Sequence, residues 1–134
     1  MAIEDFDFQP ETYDIVISSL TFHYLESFIN ICRKVSSCLT KGGSFVFSVE
    51  HPIFTAYGNQ DWHYDQDGKR AHWPVDRYFN EGKRTTVFLG EEVVKYHKTL
   101  TTYINSLLQT EFEICELIAV SYAHLRAHET SLHL

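Results

Sequence analysis

Two short runs carry the side chains that could do chemistry. "SSLTFHY", residues 18–24, holds two hydroxyls, an imidazole and a phenol, and "SVEHP", residues 48–52, sets a carboxylate beside an imidazole. A neutral imidazole can accept a proton near neutral pH, so His23 and His51 are the candidate general bases or substrate-orienting groups. No Ser or Cys sits in a nucleophile elbow, and no carboxylate pair is placed by spacing. The chemistry is therefore sought in groups that the fold gathers, not in one local motif.

The elements that must gather them are legible. Ile15, Val16 and Ile17 in "YDIVISS", residues 13–19, are consecutive and β-branched, which predicts a strand covered on both faces of a parallel sheet. Phe28, Cys32, Val35 and Leu39 then recur at helical spacing, with Ser27 as the cap and Thr40-Lys41-Gly42-Gly43 as the stop. Residues 44–50 read as a second strand. Strand, helix and strand with short joints make a βαβ unit with parallel strands and a right-handed crossover. Ligands bind beyond the carboxyl ends of such strands. Ser18, Ser19, Leu20, His23 and Tyr24 follow the first strand, and Glu50, His51 and Pro52 end the second. Taken singly, each is as well explained by a turn or by packing. Taken together, they favour a ligand site.

The middle, residues 55–98, is crowded with Trp, Tyr and His and loses the strand–helix alternation. "DWHYDQDGKRAHW" predicts a hairpin turning at Asp65-Gln66-Asp67-Gly68, and "RTTVFLGEEVVKYH" a second turning at Gly90. Leu100, Tyr103, Ile104, Leu107 and Leu108 predict a helix capped by Thr99 or Thr101. "FEICELIAV", residues 112–120, reads as a third strand. "SYAHLRAHETSLHL" reads as either a ragged tail or a weak helix. With no repeat and no linker, the expected organisation is one domain over 1–120, with a cap at about 55–98 and an atypical tail at 121–134.

Composition excludes several classes. The 134 residues carry a net charge of −7, which argues against nucleic acid, because phosphate binding needs a basic surface. The basic cluster Lys69, Arg70, Arg77, Lys83 and Arg84 reads as a solvated face in preference to an anion site. No apolar run reaches the length of a membrane span, and the opening "MAIEDFDF" is acidic and unlike a signal peptide. Three cysteines without C-x-x-C suggest reduced thiols and a cytoplasmic setting. "HYDQDG" is not a calcium loop, since the twelfth position from His63 is Pro74. His124 and His128 lack a third ligand, so no metal is expected. Gly42-Gly43 follows a helix and precedes a strand, the reverse of a dinucleotide loop, and the chain has no G-x-G.

In order, "EDFDFQPETYDIVISSLTFHYL", a helix, "LTKGGSFVFSVEHP" and "YHKTLTTYINSLLQTEF" resemble the class I S-adenosylmethionine-dependent methyltransferases of the small-molecule type, over about residues 2–120. The resemblance implies an α/β, partial Rossmann-like fold: a βαβ unit, a hairpin-rich cap, a helix and a further strand. It implies S-adenosylmethionine as cofactor, with Ala2, Ile3 and Glu4 beside its adenine and Ser18, Ser19 and Leu20 near its methionine. His23, Tyr24 and His51 would face a small-molecule substrate, with Trp62, Tyr96 and His97 in the cap above it. The family's glycine-rich loop and the acidic residue ending its second strand have no counterpart, Glu111 stands where the family often has glycine, and the family's last strand is not evident. The chain is accordingly expected to be the C-terminal portion of a methyltransferase, inactive alone. The alternatives are a non-catalytic fragment that self-associates through an exposed sheet edge, or an aromatic-lined binder of small ligands built on Trp62, Trp73 and Tyr78.

Overall fold

The computed structural model describes residues 3–120; Ala2 and the segment 121–134, with His124 and His128, lie outside the described residues. A 3₁₀ turn at Ile3–Asp5 precedes β1 (Tyr13–Ser19), and a second at Phe22–Tyr24 follows it. Helix α1 (Phe28–Cys38) leads into β2 (Leu39–Ser48). A short helix α2 (Pro52–Ala56) comes next. Two hairpins follow, β3 (His63–Tyr64) with β4 (Arg70–His72) and β5 (Gly82–Phe88) with β6 (Glu91–His97), and then helix α3 (Leu100–Gln109). The fold is α/β and partly Rossmann-like, as the sequence predicts.

β1 and β2 pair in parallel, Ile15 opposite Ser44 through Ser19 opposite Ser48. The ladder is interrupted between Tyr13 and Ile15, where Thr40-Lys41-Gly42-Gly43 bulges out of register. Gly42 has φ +81°, and a Cβ on Gly43 would stand 2.9 Å from the Thr40 carbonyl and 3.1 Å from that of Asp14. Helix α1 ends at Cys38 with Leu39 extended as its C-cap, and β2 begins at Leu39 and not at 44. The helix stop and strand start expected from the sequence are therefore corrected: the glycines lie inside the strand. They let the chain turn tightly against β1.

Side chains alternate across the sheet. Val16, Ser18, Phe45 and Phe47 share one face, on which Phe22, Phe28, Ile31, Val35, Tyr103 and Leu107 complete the core. Phe28 packs on Phe47 at 5.3 Å and on Tyr103 at 4.8 Å between ring centres, the edge and tilted geometries that aromatic quadrupoles favour. The other face is open: Ile15 is 53% exposed and Ile17 70%. β1 is therefore covered on one face only, not on both as its β-branched run suggests. No layer among the described residues lies against that side, and no strand pairs with the far edge of β1.

Ser27 caps α1, its hydroxyl accepting from the Asn30 amide. Thr99, not Thr101, caps α3 by accepting from the Thr102 amide. Helix α3 ends in a Schellman arrangement, with the Phe112 amide donating to the Leu107 carbonyl and the Glu111 amide to that of Leu108. Glu111 therefore takes φ +72°, the conformation that glycine adopts at no steric cost. Both hairpins turn where the sequence places them. Asp65 Oδ1 accepts from the Asp67 and Lys69 amides, and Leu89 and Gly90 have φ +52° and +81°, a type I′ turn.

One predicted strand is absent and one helix is unforeseen. Residues 112–120 form no strand, because an extended segment needs a ladder and no described strand pairs with it. Conversely, α2 was not predicted, since its five residues are too few to show a period. Pro52 occupies its first position, where the missing N–H costs nothing, and His51 caps it.

Candidate functional site

The two strands do end on one edge. The Leu20 amide donates to the Ser48 carbonyl at 2.9 Å and lies 3.2 Å from Ser48 Oγ, while the Ser19 and Ser48 hydroxyls sit 3.3 Å apart. Leu20 takes φ +52°, an uncommon conformation for a branched side chain. That turn throws the chain back over the sheet end, and the Phe22–Tyr24 turn then delivers His23 and Tyr24 to the end of β2.

His23 is 1% exposed, and the Glu50 amide donates to its Nδ1 at 3.3 Å. Its Nε2 therefore carries the proton, 3.5 Å from Glu50 Oε1. Burial, then the charges of Lys95 and Lys98, pushes its pKa down to about 3. Both ring nitrogens are engaged, so His23 has no lone pair to offer a substrate. It positions the 49–51 backbone.

The structure adds two residues, Lys95 and Gln60, that sequence reasoning did not place in the site. Glu50 is buried and receives Lys95 Nζ on both oxygens, at 2.7 and 2.9 Å. Gln60 Oε1 accepts from the same ammonium at 2.8 Å. Tyr24, 42% exposed, lies with its ring centre 4.3 Å from that of His23 and 6.0 Å from Lys95 Nζ. The Lys95 charge was findable. In the alternating "VVKYH" run it shares the inward phase with His97, where a lone lysine needs a partner. Nothing in the sequence marks Gln60.

His51 is half-buried. Its Nδ1 accepts from the Ile53 amide at 3.1 Å, so the neutral ring presents Nε2–H, and burial keeps its pKa below the usual value. Trp62 is half-buried and packs edge-on against Trp73 at 5.5 Å, with the Arg70 guanidinium 5.2 Å over its ring. Trp73 in turn packs on Phe54 of α2 at 4.6 Å, which lays the first hairpin against the helix that His51 caps. Trp62 thus packs, through Trp73, against the helix that His51 caps.

Tyr96 and His97 do not join this group. His97 is buried with both nitrogens spent, Nδ1 2.7 Å from the Thr55 hydroxyl and Nε2 2.6 Å from the Tyr78 carbonyl. It clamps β6 to α2. Tyr96 faces the opposite side of β6, lining a cleft of about 520 Å³ with Glu26, Glu81 and Lys98. Lys98 is buried and gives its protons to the carbonyls of Phe22, Leu25 and Tyr96, which ties β6 to the turn carrying His23. Nor does the basic cluster converge: Arg84 is buried, donating to the carbonyls of Ala56, Arg77 and Asn80. Ser18, Ser19 and Leu20 are at the strand edge as expected, while Ile3 and Glu4 lie in the first 3₁₀ turn. Among the described residues, no group of His, Cys, Asp and Glu could hold a metal ion.

A parallel strand pair whose polar ends gather on one edge defines a partly Rossmann-like α/β protein. Comparison with known proteins narrows that class. The family described as "Methyltransferase domain" matches residues 1–47. The crystal structure of an S-adenosylmethionine-dependent methyltransferase from Mesorhizobium loti is 32% identical, with a TM-score of 0.82, over all of this chain and 68% of that one. A protein from Listeria monocytogenes assigned as an S-adenosylmethionine-dependent methyltransferase is 50% identical, with a TM-score of 0.90, over 99% of this chain and 65% of its own. An uncharacterised Haemophilus influenzae protein is 32% identical over 107 residues, 78% of this chain and 42% of that protein. The chain belongs to the S-adenosylmethionine-dependent methyltransferases. It spans less than half of the Haemophilus relative and about two thirds of the two solved structures.

Proposed function

We propose that these residues form the acceptor side of a domain that transfers a methyl group from S-adenosylmethionine to a small molecule. The observation that carries this is the convergence of Tyr24, Glu50 and Lys95 on the edge where β1 and β2 end, with His51 the next residue along the chain. Ser18, Ser19 and Leu20 would hold the methionine part of the cofactor, and the turn at Ile3–Asp5 would lie beside the adenine. The exposed Ser19 hydroxyl and the backbone turned by Leu20 suit a polar, zwitterionic group. The cofactor, when bound, supplies an electrophilic methyl on a sulfonium. Much of the rate of such a transfer comes from positioning.

The chain's own residues would do that positioning. His51 donates from Nε2 and orients the acceptor. His23 and Lys95 hold Glu50, and with it the end of β2, in place. Trp62, with the rest of the 55–98 segment, forms the cap that excludes water. His23 is a positioning residue, so the base, if the acceptor needs one, is not His23. The chain has no G-x-G loop, and these 134 residues alone are expected to bind the cofactor more weakly than micromolar. Calorimetry with S-adenosylmethionine tests this. Micromolar binding by the chain alone would contradict it. A chimera with the remaining part of the Listeria protein joined ahead of Ile3 is expected to bind at micromolar concentration, and failure there would sink the methyl-transfer reading. Cys32 and Cys38 are free and buried, which supports a reducing, cytoplasmic setting; no described helix is long and apolar enough to cross a membrane.

A second reading has its own observation. The unpaired edge of β1 and the exposed Ile15 and Ile17 support self-association of the chain, with no chemistry of its own.

A further inference from the structure

The cluster at the strand edge contains one polar atom with nothing to bond. Among the described residues, Gln60 Nε2 is the buried side-chain nitrogen without a hydrogen-bond partner. The amide cannot turn over to relieve this. Its Oε1 accepts from Lys95 Nζ at 2.8 Å, and a flip would set the NH₂ group against the ammonium. A buried donor left unpaired is destabilising, so its persistence points to a partner that the chain itself does not supply.

The neighbouring groups say what kind of partner. The Glu50 carboxylate is taken up by Lys95 on both oxygens, with His23 Nε2 3.5 Å away. His51 receives the Ile53 amide on Nδ1, which leaves Nε2–H as a donor. The Tyr24 phenol is kept protonated by burial and by the Glu50 charge. The Gln60 amide nitrogen and His51 Nε2–H can only donate, and the Tyr24 hydroxyl can donate as well as accept.

We infer that Gln60 Nε2 donates a hydrogen bond to an oxygen of the methyl-accepting substrate, and that this substrate is a small carboxylate bound beside Tyr24 and Lys95. The inference rests on the methyl-transfer reading for the identity of the ligand as substrate, but not for its chemical class. Gln60 determines specificity here because a donor fixed by Lys95 rejects a substrate that presents an amine at the same point.

The test uses the isotopically labelled 134-residue chain and two probes of similar size and opposite charge, benzoate and benzylamine. The Gln60 side-chain NH₂ resonances are expected to move saturably with benzoate and to stay in place with benzylamine. Gln60→Glu keeps an oxygen for Lys95 but replaces the donor by an acceptor, and is expected to weaken benzoate binding by about tenfold or more. Resonances unmoved by benzoate, an equal response to benzylamine, or unchanged benzoate binding in Gln60→Glu would each overturn the inference. Cofactor binding by the Listeria chimera is scored separately. Binding there with Gln60 unmoved by benzoate removes the inference alone. A benzoate response without cofactor binding removes the methyl-transfer reading and leaves a carboxylate site.

Discussion

At the residue scale, the site depends on charges and protons held out of water. Lys95 and Glu50 form a buried ion pair, and such a pair gives little net stability but is costly to halve. Lys95→Met is therefore expected to lose about 3–5 kcal/mol in chemical unfolding, because Glu50 stays buried without its cation. Adding Glu50→Gln to that variant should recover part of the loss, and no recovery would show that the two side chains are not coupled. His23 sets a pH dependence. Its folded pKa of about 3 lies below the ordinary value of 6.5. Between those values the unfolded chain binds the proton and the folded chain does not. Stability is thus complete above about pH 6.5 and falls as pH drops toward 3. His51 and His97, both lowered by burial, act in the same direction. Thermal melts from pH 7 to pH 4 should show the fall, with a shallower slope in His23→Gln. An unchanged slope would mean that His23 is not the group responsible.

At the element scale, turns and caps decide where side chains arrive. Glu111 closes the α3 Schellman motif at φ +72°, so Glu111→Gly should stabilise by about 0.5–1 kcal/mol by removing backbone strain. A destabilised variant would mean that the Glu111 side chain contributes a contact of greater value. Gly43 is the opposite case, because the atoms a methyl group would meet are backbone carbonyls. Gly43→Ala should cost roughly 1–3 kcal/mol, measured by the denaturation midpoint. The βαβ unit, both hairpins and α3 were legible because each repeats a period or carries turn residues with a fixed conformation. Helix α2 was not legible, since a single turn shows no period, and the strand predicted over 112–120 fails because a strand is a property of a pair. Pro52 marks the same boundary either way: the ladder has ended and a helix begins at a residue that needs no donor.

At the scale of the whole molecule, the open face of the sheet carries the main consequence. Ile15 and Ile17 present branched apolar side chains on a strand whose outer edge is unpaired among the described residues. Sedimentation of the chain is expected to show concentration-dependent association, suppressed by Ile17→Lys, since a charge on that face opposes stacking and edge pairing. A monomer at all concentrations in both forms would remove the self-association reading.

What the sequence by itself determined was the family, the βαβ unit and the edge at which Ser18, Ser19, Tyr24 and His51 would meet, because period, caps and strand ends are local properties of a chain. What only the tertiary structure decided was which groups remain chemically available there. His23 and His97 are spent on the backbone and on Thr55, Tyr96 turns to the far side of β6, and Lys95 and Gln60 arrive from 45 and 10 residues beyond Glu50. Hydrogen-bond partners and desolvation are set by what packs around a side chain. For a neutral imidazole, the ring nitrogen that receives a backbone amide is the one that can no longer take a proton.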